Sequence, residues 1–340
     1  MEKVKRKQNI TRNVATRVRV AESNPSDGVK NGVYVYCIFY GSEYAIPLRK
    51  GIDNGENIFS VKYGDIEALI SHVPLNEYNE ESLKEQLEDV GWIVPRAQAH
   101  ERIIESVMQF CAVIPVKFCT IFKDESKVSE TLRQNYEEFR SLLDYLSDKQ
   151  EWGIKIYVDC GKIRQVLSAE ISSEVPQVSL TRSVEMLSRI AEGSGAKIRE
   201  LDEQLSVASE GAAYFLKKKR DDILKESSEE IVPSLAEEIY EKLQPWAVES
   251  RRNKLLSRSS TGRSDDMILN VAFLLTKSDV GKFKTKIDRL ATGYRSKGFL
   301  FELSGPWPSH NFCGDRMGAL HETDGEPPGV LTRQEKQCTA

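Results

Sequence analysis

Long apolar stretches are absent from this sequence of 340 residues. No run of apolar residues approaches the roughly 20 that a membrane-spanning helix requires, and the N-terminus lacks the apolar core of a secretory signal peptide. The composition, 40% hydrophobic and 29% charged, is typical of a globular protein. The sequence therefore predicts a cytosolic protein that does not interact with a membrane and is long enough for about two domains.

Metal-binding and disulfide patterns are absent as well. The six cysteines are scattered, with no CxxC pair and no histidines at zinc-finger spacing, which favours free thiols over a metal site. His100-Glu101 begins like the HExxH motif of zinc proteases, but Ile104 stands where the second histidine would be. We therefore predict neither a metal site nor a cofactor.

The sequence holds little that would catalyse a reaction. It has no GxSxG motif, and nothing in it specifies a nucleophile with its base. Residues 193–197, Gly-Ser-Gly-Ala-Lys, resemble a phosphate-binding loop but lack its GxxxxGK[ST] spacing and a preceding strand, so we interpret them as a helix break. These absences predict a protein that is not an enzyme.

Charge is unevenly distributed along the chain, whose formal net charge is -4. Residues 1–31 contain eight Lys and Arg against three acidic residues, a balance of +5 that leaves -9 for the rest. We interpret 1–31 as a basic disordered tail, with contact to an anionic surface as the alternative. Residues 316–340, which contain several Gly, Pro and Glu, are predicted to be a second disordered tail.

The pattern of residues 32–148 predicts an N-terminal α+β domain. Its aromatic and β-branched segments indicate strands, and its apolar residues at helical spacing indicate helices that cover the sheet. The predicted elements are, in order, a central strand at 33–40, a hairpin at 58–63 and 66–71, helices at about 80–90 and 96–110, a buried strand at 112–118 and a helix at 124–147.

Residues 149–315 predict a second domain in which strands at 151–159, 267–276 and 298–304 alternate with helices. From about 161 to 256 the pattern is helical, with breaks at 193–195 and 232–233, and a further helix is predicted at 280–294. This order is typical of a modified ferredoxin-like domain that carries a long helical insertion. The predicted fold class is therefore α+β, with two domains.

One strand carries a weak nucleic-acid signal. Residues 297–303 partly follow the RNP1 pattern, in which strand aromatics stack on RNA bases, and Phe299 and Phe301 would share one face. Leu300 stands at the usual Gly or Ala position, and Glu302 would repel phosphate. Core packing is therefore favoured, and an RNA-binding module that uses Phe299 and Phe301 stays the alternative.

Five separated segments carry distinctive motifs, at 61–71, 115–122, 151–159, 211–219 and 305–312. These motifs, in this order, resemble those of one family, the GvpL/GvpF gas vesicle proteins. Cys119 departs from the family pattern, which usually has glycine there; if that glycine serves a turn with positive φ, Cys119 must find another backbone solution. The motif residues that we consider candidates for protein binding are Pro115, Lys117, Phe118, Thr120, Phe122, Trp152, Tyr214, Phe215, Pro306, Trp307 and Pro308.

The resemblance implies the same ferredoxin-like fold and a role without catalysis. It implies a gas vesicle assembly factor or minor structural component that binds the small hydrophobic GvpA-like shell protein and other gas vesicle accessory proteins. It also implies a cytoplasmic protein associated with gas vesicles. For the Gly-Pro-Trp-Pro segment at 305–308, the two interpretations are a rigid turn that packs Trp307 over the sheet and a partner-binding lip.

Overall fold

The computed structural model describes residues 31–41, 50–53, 57–172 and 183–313. The predictions of disordered tails at 1–31 and 316–340 fall outside this part, except that Asn31 already belongs to the first strand. Two antiparallel sheets with helices packed against them form the described structure, so the prediction of an α+β fold is confirmed. None of the described helices combines the length and apolarity needed to cross a bilayer.

The first sheet is built around its first strand, β1, which pairs with β3, β4 and β5, and β2 pairs with β3 to give the order β2-β3-β1-β4. The prediction of a central strand is confirmed, as is the hairpin β2–β3, which turns at Gly64 with a φ of 60°. The strands are β1 (Asn31–Tyr40), β2 (Ile58–Tyr63), β3 (Ile66–Pro74), β4 (Val113–Pro115) and β5 (Ile121–Phe122).

Helices cover both faces of this sheet, which explains why β1 is apolar throughout rather than alternating. Tyr34 and Tyr36 face one cluster together with α3, whereas Val33 and Val35 face the other together with α4 and α5. The helices are α1 (Leu75–Tyr78), α2 (Glu80–Gln86), α3 (Val90–Met108), α4 (Glu125–Gln134) and α5 (Tyr136–Leu146).

The second sheet has the order β7-β8-β6-β9, and its elements follow the strand, helix, strand, strand, helix, strand sequence of a ferredoxin-like arrangement. Its strands are β6 (Lys149–Val158), β7 (Glu249–Arg252), β8 (Asp266–Thr276) and β9 (Phe299–Trp307). Its helices are α6 (Cys160–Ser172), α7 (Ser183–Val207), α8 (Glu210–Leu243), α9 (Arg258–Thr261), α10 (Val280–Arg295) and α11 (His310–Cys313), with a 3-10 turn at Gln244–Trp246.

The two sheets share part of one apolar core. One face of β8 packs with α6, α8 and α10, whereas Ala272 and Leu274 on its other face join the cluster that covers the first sheet. Partly buried polar contacts reinforce this junction. The Asn311 side chain donates a hydrogen bond of 2.6 Å to the Glu151 carboxylate, and His310 Nε2 lies 3.1 Å from Glu101 Oε1.

The predicted breaks in the helical insertion at about 161–256 are wrong. Helix α7 continues through Gly193 and Gly195, and α8 continues through Pro233. A glycine inside a helix costs only about 1 kcal/mol. Pro233 lies on the exposed side of α8, where water can take the carbonyl that a proline leaves unpaired. The helical part ends at Trp246, and β7 then adds an edge strand to β8.

Two boundaries in the first half also differ from prediction. Helix α3 begins at Val90 rather than near residue 96, because the Asp89 side chain accepts a hydrogen bond from the Gly91 N–H and caps the helix there. Pro95 therefore lies inside α3 instead of in its first turn. The strand predicted at 112–118 ends at Pro115, and the chain then turns before β5.

Candidate functional site

The motif at 115–122 forms a tight reversal between β4 and β5 on the edge of the first sheet. The Val116 N–H donates to the Tyr36 carbonyl, and the Val35 N–H donates to the Thr120 carbonyl, so both ends of the reversal are fixed to β1. The Thr120 hydroxyl closes the turn by donating to the Lys117 carbonyl over 2.8 Å. Pro115 and Phe122 are buried, Phe118 and Thr120 are partly buried, and Lys117 is exposed.

Cys119 adopts a φ of 63° within this reversal, so the turn does require the left-handed conformation that favours glycine. Cys119 therefore adopts the left-handed conformation itself, and the turn keeps the same backbone path. The Cys119 N–H donates a hydrogen bond of 2.9 Å to the Tyr34 hydroxyl, which stabilises the strained residue from the adjacent strand. Burial raises the pKa of the Cys119 thiol to about 12, so it is protonated at neutral pH.

His100 completes the support of this turn from helix α3. Its Nδ1 atom lies 3.0 Å from the Tyr34 hydroxyl, and its Nε2 atom lies 3.0 Å from the Val116 carbonyl. Burial lowers the pKa of the imidazole to about 4, so Nε2 carries the proton that is donated to Val116, and Nδ1 accepts from Tyr34. All polar atoms of this network are satisfied internally, which makes it a structural brace for the motif.

The Gly-Pro-Trp-Pro segment is the end of strand β9 rather than a free turn, since Trp307 pairs with Glu151 of β6. Gly305 has a φ of 130° and lies against the Trp152 ring, and Pro308 is buried. Pro306 and Trp307 remain exposed, with the Trp307 indole N–H donating to the Ser304 hydroxyl over 3.0 Å. Trp152 is buried beneath the Lys284 ammonium group, which lies 4.0 Å from the ring centroid.

The Tyr214–Phe215 pair is the most exposed aromatic surface of the described chain. Tyr214 is 67% exposed and Phe215 is 72% exposed, and their rings meet edge to face with centroids 5.6 Å apart. They lie on the second turn of α8, at the end of the antiparallel hairpin that α7 and α8 form. Val207, 87% exposed, ends α7 at the same end of this hairpin.

This hairpin end extends beyond the core of the second sheet. The buried residues of α8 begin only at Leu224, which leaves 14 residues, about 20 Å of helix, without a fully buried side chain. Arg220 holds this part of α8 to α7, because its guanidinium donates to the Asp202 carboxylate over 2.6 Å. An aromatic pair at the end of such an arm is positioned for contact with another molecule.

The phenylalanine side chains of β9, the strand considered as an alternative RNA-binding surface, face the protein interior. Phe299 is buried and Phe301 is partly buried, and both lie against Tyr294, with ring centroids 5.2 and 6.2 Å away. Glu302 pairs with Arg263 at 2.7 Å. Bases stack on aromatic rings whose faces are open to solvent. The geometry of this strand therefore supports core packing of Phe299 and Phe301 over RNA binding.

The family model for the gas vesicle synthesis protein GvpL/GvpF matches residues 32–314. This match spans both sheets and each of the motif segments described above. The chain belongs to the GvpL/GvpF family. Family membership supports a role in gas vesicle formation.

Relatives of this GvpL/GvpF protein come from several organisms. Gas vesicle protein L of a Streptomyces species is 23% identical over 290 residues, which cover 85% of this chain and 96% of the relative. Gas vesicle protein L1 of Halobacterium salinarum is also 23% identical, over 86% of this chain and 94% of its own. The crystal structure of GvpF from Anabaena shares the fold, with a TM-score of 0.52 at 18% identity over 83% of this chain and 96% of that chain.

The structure separates the motif residues of this GvpL/GvpF protein by burial. The buried members are Pro115, Phe122, Trp152 and Pro308, the partly buried ones are Phe118 and Thr120, and the exposed ones are Lys117, Tyr214, Phe215, Pro306 and Trp307. Two further exposed features stand beside Tyr214 and Phe215 and are not among the predicted protein-binding residues, namely Val207 and the lysine run at 217–219. The run of lysines was visible in the sequence, whereas the exposure of Val207 follows only from the hairpin.

Proposed function

We propose that this protein is an assembly factor or minor structural component that captures the small hydrophobic shell protein while gas vesicles form. The observation that carries the proposal is the exposed Tyr214–Phe215 pair at the end of the projecting hairpin. Paired aromatic side chains supply a large apolar contact area at low cost in conformational entropy. Such pairs are typical anchors of protein interfaces.

The properties of the shell protein explain why such a contact is needed. Small hydrophobic subunits expose apolar surface before they assemble, and apolar surface in water promotes uncontrolled association. A protein that covers part of this surface and then releases the subunit to the growing shell would prevent that association. The exposed Trp307 and Pro306 at the end of β9 offer a second apolar contact for other gas vesicle accessory proteins.

We propose no catalytic step for this protein, and we propose that it works in the cytoplasm at growing gas vesicles. The buried His100 network supports the first part, because its polar atoms are paired with each other rather than presented to a substrate. Family membership supports the second part. A fluorescent fusion that stays evenly distributed in cells forming gas vesicles would argue against the location.

The experiment that tests the proposal is capture of freshly synthesised shell protein by the purified protein at low and high salt. The double variant Tyr214→Ser/Phe215→Ser should lose most of the capture, because it removes the exposed rings without disturbing the core. Capture by the unaltered protein should survive high salt, since apolar contacts are not screened by ions.

The matched control is Val90→Ser, which removes an apolar side chain of comparable exposure, 70%, at the start of α3. This variant should capture shell protein as the unaltered protein does. Equal capture by all three proteins would show that the hairpin end is not the binding surface. Absence of capture by the unaltered protein would contradict direct binding of the shell protein.

A further inference from the structure

Three consecutive lysines, Lys217, Lys218 and Lys219, follow the aromatic pair by one turn of α8, and all three are exposed. Successive residues of an α-helix are rotated by about 100°, so the three side chains spread over roughly 200° of the helix surface. Lys218 stands three residues after Phe215 and four after Tyr214, on the same face as both rings. Lys217 and Lys219 flank that face, which gives the aromatic pair a border of ammonium groups.

The ammonium groups of this border remain available for contacts with another molecule. No ion pair joins Lys217, Lys218 or Lys219 to a described carboxylate, whereas the next residue, Arg220, is tied to Asp202. Asp221 and Asp222 follow on the next turn, on the side of the lysines that faces away from the hairpin end. Glu210 lies in the first turn of α8, where a carboxylate is stabilised by the helix dipole.

We infer that the hairpin end recognises an apolar protein surface bordered by carboxylates, with the Tyr214–Phe215 pair on the apolar part and Lys217–Lys219 on the acidic border. This inference rests on the proposed function and adds the charge of the partner surface to it. Charges at the rim of an interface act mainly on the association rate and on the choice of partner, because they remain hydrated. The lysines therefore select an acidic partner, while the rings provide most of the affinity.

A protein surface fits these features better than a lipid bilayer does. The large exposed apolar side chains of the hairpin end are Val207, Tyr214 and Phe215, on the end of two packed helices. Helices that lie on a bilayer instead present a continuous apolar face along their length. The face of α8 that carries the rings continues with Lys218 and Asp222, which a bilayer interior would exclude.

The test measures the association kinetics of freshly synthesised shell protein with surface-attached full-length variants, at low and at physiological salt. The variant Lys217→Glu/Lys218→Glu/Lys219→Glu should bind about tenfold more weakly at low salt, as expected for the loss of three rim charge pairs. The loss should lie mainly in the association rate, and the difference from the unaltered protein should shrink as salt rises.

The matched control is Lys50→Glu/Lys123→Glu/Lys254→Glu, which changes the net charge equally at three exposed lysines outside the hairpin. The affinity of this control for the shell protein should differ from that of the unaltered protein by less than twofold. Circular dichroism should show the same helix content for all variants, because each substituted side chain is exposed. Vesicles of phosphatidylserine and of phosphatidylcholine serve as the lipid probes.

The possible outcomes distinguish the acidic border from the proposed function and from binding to a lipid surface. Weaker binding by the Lys217→Glu/Lys218→Glu/Lys219→Glu variant, with the binding of the Lys50→Glu/Lys123→Glu/Lys254→Glu control unchanged, supports an acidic border on the partner. Full binding by this variant, together with loss of binding in Tyr214→Ser/Phe215→Ser, overturns the acidic border and leaves the proposed function intact. No binding by the unaltered protein overturns both proposals, and binding only to phosphatidylserine vesicles overturns the protein partner in favour of an anionic lipid surface.

Discussion

The Tyr34 hydroxyl and the Nδ1 atom of His100 lie 3.0 Å apart, although 66 positions separate the two residues in the chain. Through this contact the central strand β1 and helix α3 jointly hold the motif turn, since Tyr34 also accepts the Cys119 N–H and His100 also reaches the Val116 carbonyl. The turn is therefore a product of three distant segments. Its stability depends on each of them.

Replacement of His100 by alanine should lower the free energy of unfolding by about 3 kcal/mol, because it leaves a cavity and two unpaired polar groups inside the protein. Urea unfolding monitored by circular dichroism measures this change. His72 is the matched control: its ring forms a solvent-exposed pair with Glu125 at 3.1 Å, and His72→Ala should cost less than about 1 kcal/mol. Equal costs for both variants would contradict the bracing role of His100.

The buried His100 should also make stability depend on pH. Burial lowers the pKa of the folded-state imidazole to about 4 from an ordinary value of 6.5. Between these values the unfolded chain binds a proton that the folded protein does not, so stability is complete above pH 6.5 and falls as the pH decreases towards 4. The free energy of unfolding that His100 contributes should fall by about 3 kcal/mol over this range.

Comparison of the unaltered protein with His100→Gln isolates this contribution, since glutamine does not titrate. The unfolding free energy of both should be measured in urea from pH 7.5 to pH 4. The difference between the two proteins should become smaller as the pH falls through this range. A difference that stays constant would show that His100 titrates with an ordinary pKa in the folded protein.

Cys119 offers a test of backbone strain. Cys119→Gly should change stability by no more than about 1 kcal/mol, since glycine adopts a φ of 63° freely but increases the entropy of the unfolded chain. Cys119→Val should cost at least about 2 kcal/mol, because a β-branched residue is strongly disfavoured at positive φ. Thermal unfolding of the two variants checks this order, and a valine variant as stable as the glycine variant would refute it.

Gly305 should be far less tolerant of substitution than a helical glycine. A Cβ atom at Gly305 would lie 3.0 Å from the Glu151 carbonyl oxygen and 3.1 Å from the Trp152 ring, at a φ of 130°. Gly305→Ala should therefore cost about 3 kcal/mol. The control is Gly293→Ala in α10, where a Cβ meets nothing within 4 Å and should stabilise the protein by about 0.5–1 kcal/mol. Similar melting temperatures for both variants would contradict the steric account.

The sequence predicts best those elements whose apolar pattern is compatible with only one type of secondary structure. Strand β1 lacks polar alternation from Val33 to Tyr40 because helices cover both of its faces, and the Gly64 turn fixes the hairpin that follows. The predicted breaks at Gly193 and Pro233 failed because local preference counts for little once a long helix packs along its length. The division into two domains stays a prediction. Ala272 and Leu274 belong to β8 of the second sheet, yet they pack in the core of the first sheet.

Residue identity and spacing along the chain are sufficient to predict the family, the mixed α+β class and the residues of the motifs. Which motif residues are inside and which face solvent follows from the tertiary packing and cannot be read from the spacing. Trp152 and Tyr214 are both aromatic motif residues, yet the first lies under Lys284 between packed strands and the second stands on an open helix face. Burial is a property of what packs against a residue, and those partners come from distant parts of the chain.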